Sequence, residues 1–324
     1  MADSLVVVTI SSVIAASAPL VFAGVGETLT EKAGVVNLSL DGTILLTAMT
    51  GFAVALLSGS LALGFLAAMV VGAGIAFIVA YGSIALGQNQ IALGFVLTLL
   101  CADLSSFIGN PYVRRPGPSV PHMPIPGLAS IPVLGPIFFD QDMVVYLSYV
   151  VIVASWLWIF KTQPGLGLRG VGERPEAAYA RGVAVQRTRY VYTMLGGALV
   201  GLAGATYSLS VKLGWSHGHT TGIGWIALAV VIFGGWHPLR VAFGAYLFGA
   251  LKSLGSLMQP AFPDVPTQVF QTAPFALMIL ALLLVSGDFT ERLLFYLPPR
   301  GRRLFNALLR GTPPAALGKP FRPG

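Results

Sequence analysis

The segment KTQPGLGLRGVGERPEAAYARGVAVQRTRY, residues 161–190, is the one long polar interval in an otherwise apolar chain. It carries six basic residues, Lys161, Arg169, Arg174, Arg181, Arg187 and Arg189, against two acids, Glu173 and Glu176. Apolar stretches of helix length flank it on both sides. Short loops rich in lysine and arginine stay on the cytoplasmic side of a membrane. The segment therefore decides the fold class, an all-α polytopic transmembrane bundle, and its orientation. Within it, Pro175 suits a first helical turn, Glu173 and Glu176 suit a helix N-terminus, and EAAYARG follows. It reads as a docking surface that receives force from a cytoplasmic partner.

Composition agrees. Of 324 residues, 55% are hydrophobic and only 10% charged, and the mean hydropathy is +0.80. Soluble domains carry about 25% charged residues. A net charge of +7 would suggest nucleic acid in a soluble chain. Here most cations sit in loop 161–190 and in the tail, so topology accounts for them and no nucleic-acid partner is expected. The single cysteine, Cys101, rules out a disulfide framework and reads as a small buried residue. Residues 5–24 are apolar, but MADS before them lacks a basic flank, so they read as a retained first span.

Spans need about 20 apolar residues. Nine segments qualify: 5–24, 33–57, 61–86, 90–109, 142–160, 191–211, 223–236, 241–258 and 269–286, with the seventh short enough for a half-helix. One further re-entrant passage would make ten. With 161–190 inside, parity places 110–141 and 212–222 outside and the tail inside. Only Arg114, Arg115 and Lys212 then fall outside, and Lys252 lies within a span. Residues 1–290 form the membrane domain. Loop 110–141 holds eight prolines and reads as a stiff periplasmic cap. Residues 291–324 form a basic cytoplasmic tail, with the end GTPPAALGKPFRPG expected to lack structure.

Two enzyme-like motifs occur. Gly165, Gly167 and Gly170 spell GxGxxG, but an apolar helix precedes them and no acid lies about 20 residues on, as a dinucleotide site requires. These glycines read instead as a sharp exit from the membrane. Gly214, Ser216 and Gly218 spell GxSxG, which leaves an intramembrane serine protease using Ser216 as an alternative. His217 and His219 lack further metal ligands nearby. There is no Walker lysine loop, so ATP hydrolysis is expected in a separate subunit, and no cofactor is expected. GxxxG at Gly197 and Gly201, and the stripe Ala245, Gly249 and Ser253, read as helix packing within the chain.

The stretch GETLTEKAGVVNLSLDG, 26–42, sets Glu27, Glu31, Lys32, Asn37 and Asp41 at or within an apolar region. Polar groups at membrane depth usually face a cavity or a partner. One reading is a broken helix from Gly26 onward, opened by Gly34 and Gly42, that lines a solute path. The other is a turn capped by Thr28 or Thr30. A glycine-rich break with Trp236, His237 and Pro238 mirrors it in the other half, and paired interrupted helices point to a transport site.

Three blocks, GETLTEKAGVVNLSLDG (26–42), VGERPEAAYARGV (171–183) and GWIALAVVIFGGWHP (224–238), together resemble the permease subunits of bacterial ABC importers of the branched-chain amino acid, ribose and nucleoside type. The nucleoside or simple-sugar branch is the nearest. The EAA-x3-G pattern falls on Glu176, Ala177, Ala178 and Gly182, without the proline that often ends it; Asp41 stands where relatives carry glutamate. The resemblance implies an inner-membrane subunit paired with a second permease, with ATPase subunits docked at Glu173, Pro175 and Glu176–Gly182. It also implies a periplasmic or lipoprotein solute-binding protein; from the polar groups at membrane depth, Glu27, Asn37, Asp41 and Trp236 are expected to line the path of a small polar solute. A secondary transporter is the nearer alternative.

Overall fold

The computed structural model describes residues 2–262, most of 264–280, and 311–322. Among the described residues, ten named α-helices follow one another: α1 Ala2–Lys32, α2 Leu40–Ser58, α3 Leu61–Ile84, α4 Gln90–Gly109, α5 Met143–Lys161, α6 Gln163–Glu173, α7 Pro175–Ala180, α8 Val185–Thr206, α9 Ile223–Phe233 and α10 Pro238–Met258. No strand occurs among the described residues. Six of these helices, α1 to α5 and α8, are long and apolar enough to cross a membrane. The expected half-helix is α9, whose 11 residues reach only about 16 Å. The expected span 269–286 ends outside the described residues.

Several boundaries differ from expectation. α1 does not break at Gly26 but runs on to Lys32. Its threonines do not cap a turn: the Thr28 and Thr30 hydroxyls donate to the Gly24 and Gly26 carbonyls one turn back, at 2.7 and 3.2 Å. The break falls at 33–39, where Gly34 takes φ +87°, a conformation that only glycine adopts readily. Gly42 is no break. It lies inside α2, pressed against the Thr98 backbone of α4. The GxGxxG glycines do not turn the chain either, since all three are helical in α6. The turn is at Thr162, and Gly165 packs on the Trp158 and Ile159 carbonyls, where a side chain would collide.

α8 is the spine. Gly197 and Gly201 meet Gly72 and Ala68 of α3 backbone to backbone, so the GxxxG stripe packs within the chain. Gly26 of α1 meets Gly196 on α8, and Gly249 of α10 meets Ser17 of α1. One core joins Phe22, Val25, Ile44, Val200, Val230 and Val241 from five helices. The opposite face of α3 exposes Leu66, Val70 and Phe77, as a surface solvated by lipid requires.

Loop 110–141 and loop 212–222 cover one end together. The Arg114 amide donates to the Trp215 carbonyl at 3.2 Å, and the Val120 amide to Leu209 at 2.9 Å. Gln141 ties the loop to the Ser11 hydroxyl of α1 at 2.8 Å.

The C-terminal tail covers the other end. Residues 311–322, expected to lack structure, are folded against the body. The Ala316 amide donates to Gly172 at 2.8 Å and Gly318 to Gly34 at 3.1 Å, and Arg189 donates to the Lys319 carbonyl at 2.9 Å. Phe321 is buried with Val171, Ala178 and Val185. Composition missed this because a proline- and glycine-rich segment can satisfy its backbone on neighbours without forming its own helix.

Candidate functional site

Two constructions carry the sequence's candidate residues. The first surrounds α9. Glu27 and Glu31 sit four residues apart on one buried face of α1. Glu27 Oε1 accepts the Asn37 amide at 3.3 Å. Asn37 Oδ1 in turn accepts the Ser39 amide and hydroxyl at 3.1 and 2.6 Å, a local turn that starts α2 in place of a terminal cap. Two residues on, Asp41 Oδ1 accepts the Gly224 amide at 2.9 Å. This satisfies one of the orphan donors of the α9 N-terminus. Past the far end of α9, the Trp236 indole N–H donates to Glu31 Oε2. Two carboxylates from the first half of the chain thus hold a short helix of the second half at both ends.

Trp236 takes φ +56°, which costs a non-glycine residue of order 1–3 kcal/mol and persists only where neighbours enforce it. Its burial at 6% exposure and its bond to Glu31 supply that enforcement. Glu27, Asn37, Asp41 and Trp236 are all buried and linked through this joint. None of them lines the cavities at the opposite end of the bundle. The sequence reading missed Ser39 and Gly224, one hydroxyl and one glycine, neither of which stands out by residue type.

The second construction is the 161–190 segment. Thr162 starts α6 by accepting the Gly165 amide at 3.2 Å. α7 is a single amphipathic stretch: Pro175 and Ala178 face inward, while Glu176, Ala177, Tyr179 and Arg181 are exposed. Gly182 takes φ +85° and turns the chain into α8. Glu173 is exposed beside the tail, accepting the Ala315 amide at 3.4 Å. Lys32 and Arg169 both lie over the Phe160 ring, at 5.7 and 5.3 Å, and His237 stacks on the same ring at 4.8 Å. Burial and the nearby Arg240 and Lys32 charges lower the His237 pKa from 6.5 to about 4.

The GxSxG stretch has no protease geometry. His219 Nδ1 is engaged by the Ser216 carbonyl at 2.9 Å and its Nε2 by Ser208 at 3.4 Å, so neither nitrogen serves the Ser216 hydroxyl as base. Burial lowers the His219 pKa, against the opposing effect of its bond to Ser216. His217 and His219 stand edge-on to Trp215.

Comparison with known proteins agrees with this architecture. A family model described as "Branched-chain amino acid transport system / permease component" matches residues 9–282. The guanosine ABC transporter permease protein NupQ of Bacillus subtilis is 36% identical over 82% of this chain and 88% of its own. The nucleoside ABC transporter permease protein NupC of Lactococcus lactis is 31% identical over 86% and 92%. A Haloferax volcanii protein named as a candidate glucose ABC transporter permease is 38% identical over 76% of each chain. In Bacillus and Lactococcus a second permease of the same description also matches, over 126 and 108 residues. With its membrane-spanning helices, the chain is a multi-pass plasma-membrane protein and a transport subunit rather than an enzyme, and it belongs to the branched-chain amino acid transport system permease family.

Proposed function

We propose that the chain forms half of the translocation path of an ATP-driven importer for a nucleoside or simple sugar. It pairs with a second, homologous permease, and ATPase subunits dock on segment 161–190 from the cytoplasm. A periplasmic or lipoprotein binding protein delivers solute to the face formed by loops 110–141 and 212–222. The observation that carries this reading is α7. It is too short to span, anchored inward by Pro175 and Ala178, and offers Glu176, Ala177 and Tyr179 outward. Such an element transmits a push from a soluble domain into α6 and α8 without entering the membrane. The nearness of the chain to nucleoside and sugar permeases supports the solute class, and the paired relatives support a second permease.

In this reading the α9 joint gates the path. Asn37 ties the α1–α2 turn to Glu27 of α1, Asp41 ties it to the start of α9, and Glu31 fixes the other end of α9 through Trp236, so ATPase closure shifts α9 as a unit. The test is reconstitution with candidate ATPase, second permease and binding protein. Solute uptake should need ATP and all subunits. Uptake by this chain alone, driven by an ion gradient, would instead make it a secondary transporter.

A further inference from the structure

Few cations lie on the proposed outer side: Arg114, Arg115, Lys212, and Lys252 within α10. Far apart in sequence, they converge in space. A cavity of about 420 Å³ holds Lys212, His219 and Lys252 in its wall. A second, of about 280 Å³, shares Lys212 and Lys252 and reaches Ser17 and Leu20, midway along α1. A third, open and of about 470 Å³, adds Arg114 and Arg115 at the mouth. Lys212 lines all three. They form one basin running from the surface toward the middle of the bundle.

We infer that this basin is the outer solute site of the path, and that it takes a flat ring bearing oxo groups or a negative charge. The inference rests on the transport reading above and narrows it. A lysine at membrane depth is costly and marks a solute path or a partner. Lys212 and Lys252 together line two of the cavities, and Arg114 and Arg115 stand at the mouth of the third. A solute that brings carbonyl acceptors or an anion meets cationic donors there, and charge-assisted hydrogen bonds are the strong ones. The flat face follows from the walls. Phe248 and Phe275 meet edge to face at 5.8 Å, with Phe270 and Tyr207 beside them, surfaces on which a planar ring packs. A polyol without a ring face leaves these walls unfilled.

The test uses the assembled transporter in vesicles with four probes: xanthosine, guanosine, adenosine and glucose. Xanthosine and guanosine carry ring oxo groups; adenosine carries none. Lys252→Met should lower kcat/KM for the two oxo-purines by about tenfold or more relative to adenosine. Lys252→Arg, which keeps the charge, should retain the preference. A uniform loss across all four probes, or no loss, would overturn the proposal. A second readout is independent of uptake. Pyridoxal phosphate followed by borohydride should label Lys212 and Lys252, and xanthosine but not adenosine should protect them. Protection without uptake of any probe would keep the site and remove the transport reading; uptake without protection or discrimination would do the reverse.

Discussion

Asp41 and Gly224, 183 positions apart, are joined by a 2.9 Å hydrogen bond from the Gly224 amide to the Asp41 carboxylate, and their backbones touch. A Cβ on Gly224 would collide with the Asp41 nitrogen and Cα. Because that neighbour is backbone rather than a flexible side-chain tip, Gly224→Ala must displace α2 or α9, and it should cost about 1–3 kcal/mol. Asp41→Ala removes only the cap and should cost about 0.5–2 kcal/mol. Asp41→Asn keeps an acceptor oxygen and should cost less. Melting in detergent gives the order; if Gly224→Ala proves neutral, α9 is not seated where these contacts put it.

The Glu31–Trp236 pair makes a prediction of opposite signs. Trp236→Phe keeps the ring but leaves a buried carboxylate without its donor, an outcome that costs about 1–3 kcal/mol or more. Glu31→Leu together with Trp236→Phe removes both polar partners, so the double variant should be more stable than Trp236→Phe alone. A thermal double-mutant cycle measures this, and purely additive effects would show that the two side chains do not couple.

Much of the fold was legible because hydrophobic runs and cation asymmetry act through the bilayer itself. Loop 161–190 and the half-helix α9 follow from those alone. The end of α1 was not legible: Glu27, Glu31 and Lys32 look like a loop by composition, yet α1 keeps its backbone bonds and buries the two carboxylates against Asn37 and Trp236. Whether a polar residue at membrane depth meets water or another chain segment depends on contacts made across the fold. The joint around α9 is of that kind. So is the basin, because Arg114, Lys212 and Lys252 appear in sequence only as exceptions to charge asymmetry.

The coupling element can be separated from the serine motif. Ala178→Arg forces a cation into the cluster of Val171, Val185 and Phe321, lifting α7 off its seat. ATP-driven uptake should fall at least about tenfold, as a buried unpaired charge costs several kcal/mol, while ATPase activity of the complex loses its response to solute. Ser216→Ala should leave uptake near wild type. The reverse pattern would return attention to Ser216.

The folded tail predicts a clamp. Removing residues 311–324 deletes the bonds to Gly172, Gly34 and Arg189, and so frees α6, the α1–α2 turn and the base of α8 from one another. Phe321→Ala alone should cost about 3 kcal/mol or more, less any relaxation of Tyr179, whose ring lies 5.7 Å away. Hydrogen exchange should then rise at 172–182 and 33–36 before it rises elsewhere. Unchanged exchange there would mean that the tail rests on the body without bracing it.

Acid should weaken the same end through His237. Its folded pKa is lowered from 6.5 to about 4 by burial and by the neighbouring Arg240 and Lys32 charges. Between these values the unfolded chain binds the proton and the folded chain does not, so stability falls as pH drops from 6.5 toward 4 and is at full strength above 6.5. Buried His219, also lowered, adds to the same trend. His237→Gln keeps a polar side chain that cannot titrate and should flatten the decline in melting temperature between pH 6.5 and 4.5. Because His237 stacks on the Phe160 ring that Lys32 and Arg169 also face, protonation would put a third cation on one aromatic surface. The loss should therefore shrink in Lys32→Gln, where one repelling charge is gone; an equal pH slope in both backgrounds would show that burial alone, and not this crowding of charge, controls the imidazole.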